Sequence, residues 1–385
     1  MHRRLLAMGA ATAIVLAACG GSASPAPASQ GGGGASQPAA TTAASQAAGG
    51  CVVGVSWNNY TQERWAKADE PNIKAAVEAG GGSYIRADAR DNSEQQLTDI
   101  DNLIAQGAQV LIILAKDATA IGPAVEKAKA ANIPVIGYDR LIEDEYAFYI
   151  TFDNKKVGTI IAQEVMKAAP SGNYAIIKGD PGDPNAEFLR SGMTEAGIPA
   201  LNETNDAGIK VVFEQNTANW DTTGARTNME TALTQNENKI DAVLSENDGM
   251  ATGVIQALEA QGLNIPVGGQ DGDKAALNRV ALGTQTVSVW KNANDLGTVA
   301  GSAAIQLCGG TAGDAVTVPD GLTDAAKPTE PKAVKFTTPG GNSVNSITLN
   351  PTPITKDNLS EVVDAGWVTK DEVCAGVTAG SVAPC

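Results

Sequence analysis

Polar and aromatic side chains are concentrated directly after the apolar runs of this sequence, where a strand would end. The groups that follow such runs, directly or after a short loop, are Arg64-Trp65, Asp139-Arg140, Asp183-Pro184-Asn185, Asn219-Trp220, Asn247-Asp248, Gln270-Asp271 and Trp290-Lys291. Carboxylates and amides pair with hydroxyl groups, arginine supplies a planar fork of donors, and an indole face packs on the C–H face of a pyranose ring. These residue types predict a site for a polyhydroxyl ligand.

Histidine content and charge exclude several function classes. The only histidine is His2, in a segment that we predict to be removed, so Ser-His-Asp, Cys-His and most zinc chemistry are excluded. Asp139 and Asp271 have the residue type of glycosidase carboxylates, but a binding cleft accounts for both. The formal net charge is −16, and no Lys/Arg cluster is present to bind nucleic acid. We expect a binding protein with no catalytic residue, metal or cofactor.

Short apolar runs alternate with helical patterns from residue 51 onward, which predicts βαβ units and parallel sheets. The runs cover residues 52–57, 110–115, 134–139, 148–153, 174–179, 209–214, 242–246, 266–271 and 284–290. Residues 93–106 have the helical period, and Ser93 with Gln96 resembles a capping box. Because no helix pattern separates runs 134–139 and 148–153, we predict a crossing between two domains there. Ligands bind at the carboxyl ends of strands in such sheets.

The first fifty residues predict a targeting signal and a tether. Positive residues at 2–4 precede an apolar stretch at 5–18 that is too short for a permanent membrane span. It ends in Leu16-Ala17-Ala18-Cys19, which resembles a lipobox, so we expect a signal peptide at 1–18 and lipidation of Cys19. Residues 20–50 contain no charge and no aromatic residue, which is typical of a flexible linker. The sequence thus predicts an extracytoplasmic lipoprotein, anchored to the cell membrane, with a linker at 19–50.

The cysteine count predicts disulfides in the mature chain. If Cys19 carries lipid, the remaining four of the five cysteines are Cys51, Cys308, Cys374 and Cys385. An even number outside the cytoplasm indicates two bridges, with three pairings open. The closeness of Cys374 and Cys385 favours their pairing, which would leave Cys51 for Cys308.

Several short motifs resemble one known family. They are Val53-Gly54-Val55 with Glu63-Arg64-Trp65, GYDR at 137–140, FYITFDNKKVG at 148–158, Asn185-Ala186, KIDAVLSEND at 239–248, GQDGD at 269–273 and GTQT at 283–286. In this order and spacing they resemble the D-xylose-binding proteins of ABC importers, within the ribose/galactose type of periplasmic binding proteins. The resemblance extends from residue 52 to 309, and more faintly to 368.

The resemblance implies an α/β fold with two doubly wound parallel-sheet lobes, a three-stranded hinge and a sugar in the cleft. It implies that the sugar is hydrogen-bonded by Arg64, Asp139, Arg140, Asp183, Asn185, Asn247, Asp271 and Lys291. Trp65 and Trp220 would sandwich the ring. We expect an N-terminal lobe at 51–153 plus about 291–325, and a C-terminal lobe at 154–290 plus about 326–385.

The implied function is capture of a monosaccharide, D-xylose first, by a monomer that delivers it to an ABC permease and its ATPase. Glucose, galactose or ribose stays an alternative ligand. Xylose is not separated from glucose, because a hexose adds one hydroxymethyl group whose fit depends on pocket shape. A lipoprotein that senses sugar for a kinase would have the same site and is a second alternative. A repressor of the same fold would need a helix-turn-helix where this chain has a lipobox and linker.

Overall fold

The structure is a computed structural model that describes residues 50–324 and 326–385. The predicted signal peptide, the lipidation of Cys19 and the linker up to residue 49 lie outside these residues. In the ranges described, no helix is both long enough and apolar enough to cross a membrane.

Strands and helices alternate along most of the chain. The strands are β1 (Val52–Trp57), β2 (Ser83–Asp88), β3 (Val110–Ile113), β4 (Val135–Tyr138), β5 (Ala147–Phe152), β6 (Gly172–Lys178), β7 (Ile209–Asn216), β8 (Ala242–Ser245), β9 (Val267–Asp271), β10 (Val287–Trp290), β11 (Val334–Thr337), β12 (Ser343–Leu349) and β13 (Thr352–Ile354). The α-helices are α1 (Glu70–Ala79), α2 (Ser93–Ala105), α3 (Gly122–Ala130), α4 (Asn154–Ala168), α5 (Pro184–Glu195), α6 (Thr222–Gln235), α7 (Asp248–Ala260), α8 (Lys274–Leu282), α9 (Ala293–Cys308), α10 (Ser360–Asp364) and α11 (Lys370–Val373). A π-helical turn occupies Trp65–Asp69, and 3-10 turns occupy Ala218–Trp220 and Gly313–Ala315.

Two separate sheets organise the strands. The first has the order β11-β12-β5-β4-β3-β1-β2, and the second has the order β13-β10-β9-β8-β6-β7. Neighbouring strands are parallel, except that β11 and β13 pair antiparallel at one edge of each sheet. Strand β3 is buried at every residue, because helices cover both faces of its sheet.

The helix after β2 shows how side chains tie a helix to its sheet. Ile100 and Leu103 are fully buried on one face of α2, as the period predicts. The capping box predicted from Ser93 and Gln96 is wrong. Asn92 caps the helix by accepting from Gln95 N, while Gln96 is buried, donates to Leu114 O at 2.9 Å and accepts from Lys116 N at 2.8 Å.

The chain forms two lobes. Lobe 1 comprises the first sheet with α1–α3 and α9, and lobe 2 comprises the second sheet with α4–α8, α10 and α11. The chain passes between the lobes three times, from β5 to α4, from β10 to α9 and from β12 to β13. The predicted fold class, two doubly wound parallel-sheet lobes, is confirmed.

The last segment of the chain contributes to both lobes. We expected everything after residue 326 in the C-terminal lobe, but β11 and β12 belong to lobe 1. Strand β12 pairs in parallel with β5, with Ile347 opposite Ile150, and Val344, Ile347 and Leu349 are buried. This pairing joins segments about two hundred residues apart, so no local pattern indicates it.

Two disulfides close loops of very different length. Cys51 is bonded to Cys308 at the end of α9, and the two cysteines are 257 positions apart in sequence. Cys374 is bonded to Cys385, 11 residues further along. The first bridge fastens the start of β1 to α9 within lobe 1, and the second closes the C-terminal tail on lobe 2.

Candidate functional site

A cavity lies between the lobes, where the strands of both sheets end. Its lining includes all ten predicted ligand-binding residues: Arg64, Trp65, Asp139 and Arg140 from lobe 1, Asp183, Asn185, Trp220, Asn247 and Asp271 from lobe 2, and Lys291 at the crossing from β10 to α9. Gln62 and Gln270 complete the lining. The strand-end pattern contained Gln270 beside Asp271, whereas Gln62 lies in the loop after β1, where no pattern marks it.

The carboxylate of Asp69 holds the guanidinium of Arg64 in place. Its Nε and Nη2 donate to the two oxygens of Asp69 at 3.0 and 2.7 Å, and Tyr138 donates to Asp69 Oδ1 at 2.5 Å. The remaining Nη1 lies 3.0 Å from Asp139 Oδ2 and 3.5 Å from Asp271 Oδ1. This bidentate pairing fixes the guanidinium plane, so that one edge faces the cleft. The sequence predicted Arg64 but neither Asp69 nor Tyr138.

Lys291 and Arg140 add two further cations, and each lies near a carboxylate of lobe 2. Lys291 Nζ is 3.1 Å from Asp271 Oδ1 and 3.9 Å from Asp139 Oδ2. Arg140 Nε is 2.9 Å from Asp183 Oδ2. The side chains of these pairs are all at least nine-tenths buried, so water screens their charges little.

Burial and neighbouring charges change the pKa of two cleft carboxylates in opposite directions. Burial by itself would raise the pKa of Asp139, but the positive charges of Lys291, Arg64 and Arg140 outweigh it and hold that pKa below its usual value. Burial raises the pKa of Asp183, and the charge of Arg140 offsets this rise only in part. Asp139 is therefore an ionised acceptor at neutral pH.

Two indole rings stand in the cavity wall. Trp65 and Trp220 are each 4% exposed. Trp220 Nε1 donates to Asp183 Oδ2 at 3.2 Å, which fixes its ring. The Trp220 ring packs so close to the backbone of residue 179 that glycine is required there, because a Cβ on Gly179 would lie 2.2 Å from the ring. The guanidinium of Arg64 lies 4.5 Å from the Trp65 ring centroid, within the range of a cation–π contact.

Three residues that line this cavity have a positive φ angle. Asp139, Trp220 and Asp271 have φ angles of 60°, 56° and 105°. Residues with a Cβ adopt such angles at a cost of about 1–3 kcal/mol each, and they persist where the surroundings fix them. Strained residues of this kind cluster at functional sites, which supports assigning the cavity a function.

Direct bonds between the lobes close the cleft around the cavity. Lys116 of lobe 1 lies 3.0 Å from Asp180 of lobe 2, and Ala118 N donates to Gly182 O at 3.1 Å. At another point of the rim, Asn247 Nδ2 donates to Gln62 Oε1 at 3.1 Å. A ligand in the cavity would be enclosed, where polar contacts are strong because water is excluded.

The lining has donors and acceptors but no activated nucleophile. No serine, threonine, cysteine or histidine lines the cavity. In the part of the chain that the structure describes, no group of three or more His, Cys, Asp or Glu residues could hold a metal ion. The arrangement supplies hydrogen bonds, ion pairs and stacking faces, which bind a ligand and position it.

Comparison with known proteins identifies the family. The model of the periplasmic binding protein domain matches residues 53–312. The chain belongs to the periplasmic binding protein family. The D-xylose-binding periplasmic protein of Escherichia coli strain K12 is 36% identical over 315 residues, which cover 81% of this chain and 88% of that protein. Its Haemophilus influenzae counterpart is 32% identical over 325 residues, with 83% and 91% covered.

A solved periplasmic binding protein structure has the same fold. The ABC transporter solute binding protein from Clostridium phytofermentans with bound β-D-glucose matches with a TM-score of 0.69 and 26% identity, covering 84% of this chain and 99% of that chain. The resemblance stated from the sequence motifs is therefore confirmed at the level of family and fold. Membership of the periplasmic binding protein family implies a location outside the cytoplasm and fits a protein that is not an enzyme.

Proposed function

We propose that this protein captures a monosaccharide, D-xylose first, in the cleft and delivers it to the permease and ATPase of an ABC importer. The observation that carries the proposal is that all ten predicted ligand-binding residues line one cavity between closed lobes. These residues lie between positions 64 and 291 of the sequence and converge in one cavity. Helix caps or surface charges at separate strand ends would not converge in this way.

The chemistry of the lining suits a sugar. Two polar atoms, Gln270 Oε1 and Trp65 Nε1, are buried and lack a partner among the described residues. An unpaired buried polar group costs about 1–3 kcal/mol. Sugar hydroxyls both donate and accept, so they can pair with both kinds of atom. The indole rings of Trp65 and Trp220 offer apolar faces for the C–H groups of a pyranose.

The comparisons favour xylose and keep glucose as the second candidate. Both bacterial relatives described above are named for D-xylose binding. The similar protein from Clostridium phytofermentans contains β-D-glucose. A hexose differs from xylose by one hydroxymethyl group, for which discrimination in a pocket amounts to about 1–3 kcal/mol.

Calorimetric titration with D-xylose, D-glucose, D-galactose and D-ribose tests this proposal. We expect tightest binding of D-xylose and a gain of about 2.7 kcal/mol in unfolding free energy at a hundredfold excess over Kd. Asp271→Ala should weaken binding. Asp241→Asn is the control, because Asp241 accepts from Asn173 N at the opposite end of β8. The proposal is refuted if none of the four sugars binds or raises the melting temperature.

We infer further that Cys19 carries the lipid that anchors the protein. The inference rests on the Leu16–Cys19 motif and the uncharged segment that follows it. Metabolic labelling with a fatty acid should mark the parent protein, and Cys19→Ala should lose the label and appear in the soluble fraction. Labelling of Cys19→Ala at the parental level would show that the anchor lies elsewhere.

A further inference from the structure

The turn that carries Asp271 has an uncommon backbone. Asp271 has a φ of 105° and Gly272 follows with a φ of 77°. The carboxylate of Asp271 must nevertheless reach Lys291 at 3.1 Å and Arg64 at 3.5 Å. Its position therefore depends on whatever holds the turn at residues 271–273.

A buried carboxylate outside the cavity holds this turn. Asp248, the first residue of α7, is fully buried. Its Oδ2 accepts from Gly272 N at 3.1 Å and Asp273 N at 3.0 Å. The same oxygen accepts from Ser288 Oγ at 2.5 Å, and Oδ1 accepts from Gln285 Nε2 at 2.7 Å. Two backbone and two side-chain donors thus converge on one carboxylate.

Two more features restrict the turn. On its other side, Trp367 Nε1 donates to Gly272 O at 2.6 Å, so both peptide groups of Gly272 are hydrogen-bonded. Gly269 lets Asp248 approach, because a Cβ there would lie 2.3 Å from Asp248 Oδ1. None of the residues that make these contacts lines the cavity.

We propose that Asp248 is a positioning residue for ligand binding, and that it acts by holding the 271–273 turn so that the carboxylate of Asp271 faces the cleft. The proposal rests on the sugar-binding function proposed above. An asparagine at this position would turn one acceptor oxygen into a donor, facing either Gln285 Nε2 or the two backbone N–H groups. At least one buried donor would then lose its acceptor.

Protonation of Asp248 bears on the conditions of the test. Burial raises the pKa of Asp248 to about 7, and the negative charge of Asp271 adds to this rise. The hydrogen bonds donated by Ser288 and Gln285 and the positive charge of Arg279 oppose the rise. Asp273 also faces this carboxylate through its backbone N–H. Measurements at about pH 8.5 keep Asp248 ionised, so that all four donors have an acceptor.

A double-mutant cycle tests whether Asp248 acts through Asp271. We expect Asp248→Asn to weaken D-xylose binding about tenfold in the parent and less than twofold in an Asp271→Ala background, measured by tryptophan fluorescence up to millimolar sugar. Asp241→Asn, the control in the same lobe, should stay within twofold of the parent. An equal loss in both backgrounds, or no loss in the parent, would overturn the proposal.

Hydrogen exchange of the sugar-free protein gives a second readout. Asp248→Asn should raise the exchange rates of the Gly272 and Asp273 amides at least about tenfold, with the β8 amides unchanged. Ser288→Ala removes one donor to Asp248 and one of the two acceptors of Gly272 N, so it should raise the exchange of Gly272 but raise that of Asp273 less, and it guards against a folding defect in Asp248→Asn. Unchanged exchange at both amides in both variants would refute the role of Asp248. If the parent binds no sugar, the proposed function fails, and the exchange rates alone decide whether Asp248 holds the turn.

Discussion

Lys116 and Asp180 form an ion pair that spans the mouth of the cleft, and its removal should weaken ligand binding without changing selectivity. The two side chains are 14% and 5% exposed and their charged atoms are 3.0 Å apart. Asp180 also accepts from Asn219 N at 2.6 Å, next to the strained Trp220. The pair joins the two lobes, so opening of the cleft would break it, and neither residue lines the cavity.

The magnitude follows from partial burial. At an effective dielectric constant of about 20, charges 3 Å apart attract by about 5 kcal/mol, but desolvation and ordering offset most of this. We expect Lys116→Met, which keeps the apolar stem, to destabilise the closed state by about 1–2 kcal/mol. That corresponds to a roughly 5- to 30-fold rise in Kd. Because encounter occurs with the open form, the change should be in the dissociation rate.

Stopped-flow dissociation and equilibrium titration with D-xylose and D-glucose measure this effect. Lys127→Met is the matched control, since Lys127 and Asp101 form a 2.6 Å pair that is exposed and lies within lobe 1. Its Kd should stay within twofold of the parent. A changed ratio of xylose to glucose affinity in Lys116→Met, or an unchanged dissociation rate, would refute the reasoning.

The same ion pair has a defined pH range. Burial would raise the pKa of Asp180, but the hydrogen bonds from Asn219 N and Lys116 outweigh it and lower that pKa. The contribution of a carboxylate with a lowered pKa is present above its unfolded value and is lost as the pH falls through the folded value. The difference between the parent and Lys116→Met should therefore persist down to about pH 4 and vanish below it.

Two further predictions follow from the cleft and from the disulfides. Asp271→Ala leaves Lys291 without its nearest partner, so it should raise Kd by about tenfold to several-hundredfold and change the ratio of xylose to glucose affinity. Trp220→Ala should weaken the binding of both sugars alike. A larger change of the affinity ratio in Trp220→Ala than in Asp271→Ala would contradict this assignment. Replacing Cys51 and Cys308 by serine should lower the unfolding free energy by about 5 kcal/mol, because the bridge closes a loop of more than two hundred residues. Sugar affinity should not change, since this bridge lies at the end of β1 away from the cleft, and a calorimetric melt with a titration measures both.

Residues at strand ends were predictable because parallel sheets bring the carboxyl ends of neighbouring strands to one edge. Asp139 and Asp271 stand directly after apolar runs, so their convergence follows from the fold class. Asp69 was not predicted as part of the site, and Asp248 belonged to a strand-end group but was not predicted to contact the ligand. Each lies at the start of a helix, where an acidic residue is common for local reasons, and its role depends on partners far away in sequence, such as Tyr138 for Asp69.

Dependence on partners far away in sequence also explains the wrong prediction of the residue that caps α2. The capping residue of α2 was misplaced by one position because Gln96 bonds instead to the backbone of Leu114 and Lys116, which both lie directly after β3. Local pattern alone cannot distinguish a glutamine that caps from one that ties a helix to its sheet. Long-range pairing has no local signal, so its consequences appear only once the sheet is assembled.

The charges in and behind the cleft favour an uncharged ligand. Three cations pair with four carboxylates in and behind the cleft. The cations are Arg64, Arg140 and Lys291, and the carboxylates are those of Asp139, Asp183, Asp271 and the supporting Asp69. Each cation already has a carboxylate within 3.1 Å. A carboxylate on the ligand would compete for cations that are already paired, and it would carry its own desolvation penalty into a buried site. Hydroxyl groups accept from these cations and donate to the carboxylates without adding charge. The charge balance of the cleft is therefore suited to a neutral aldose and unsuited to a sugar acid.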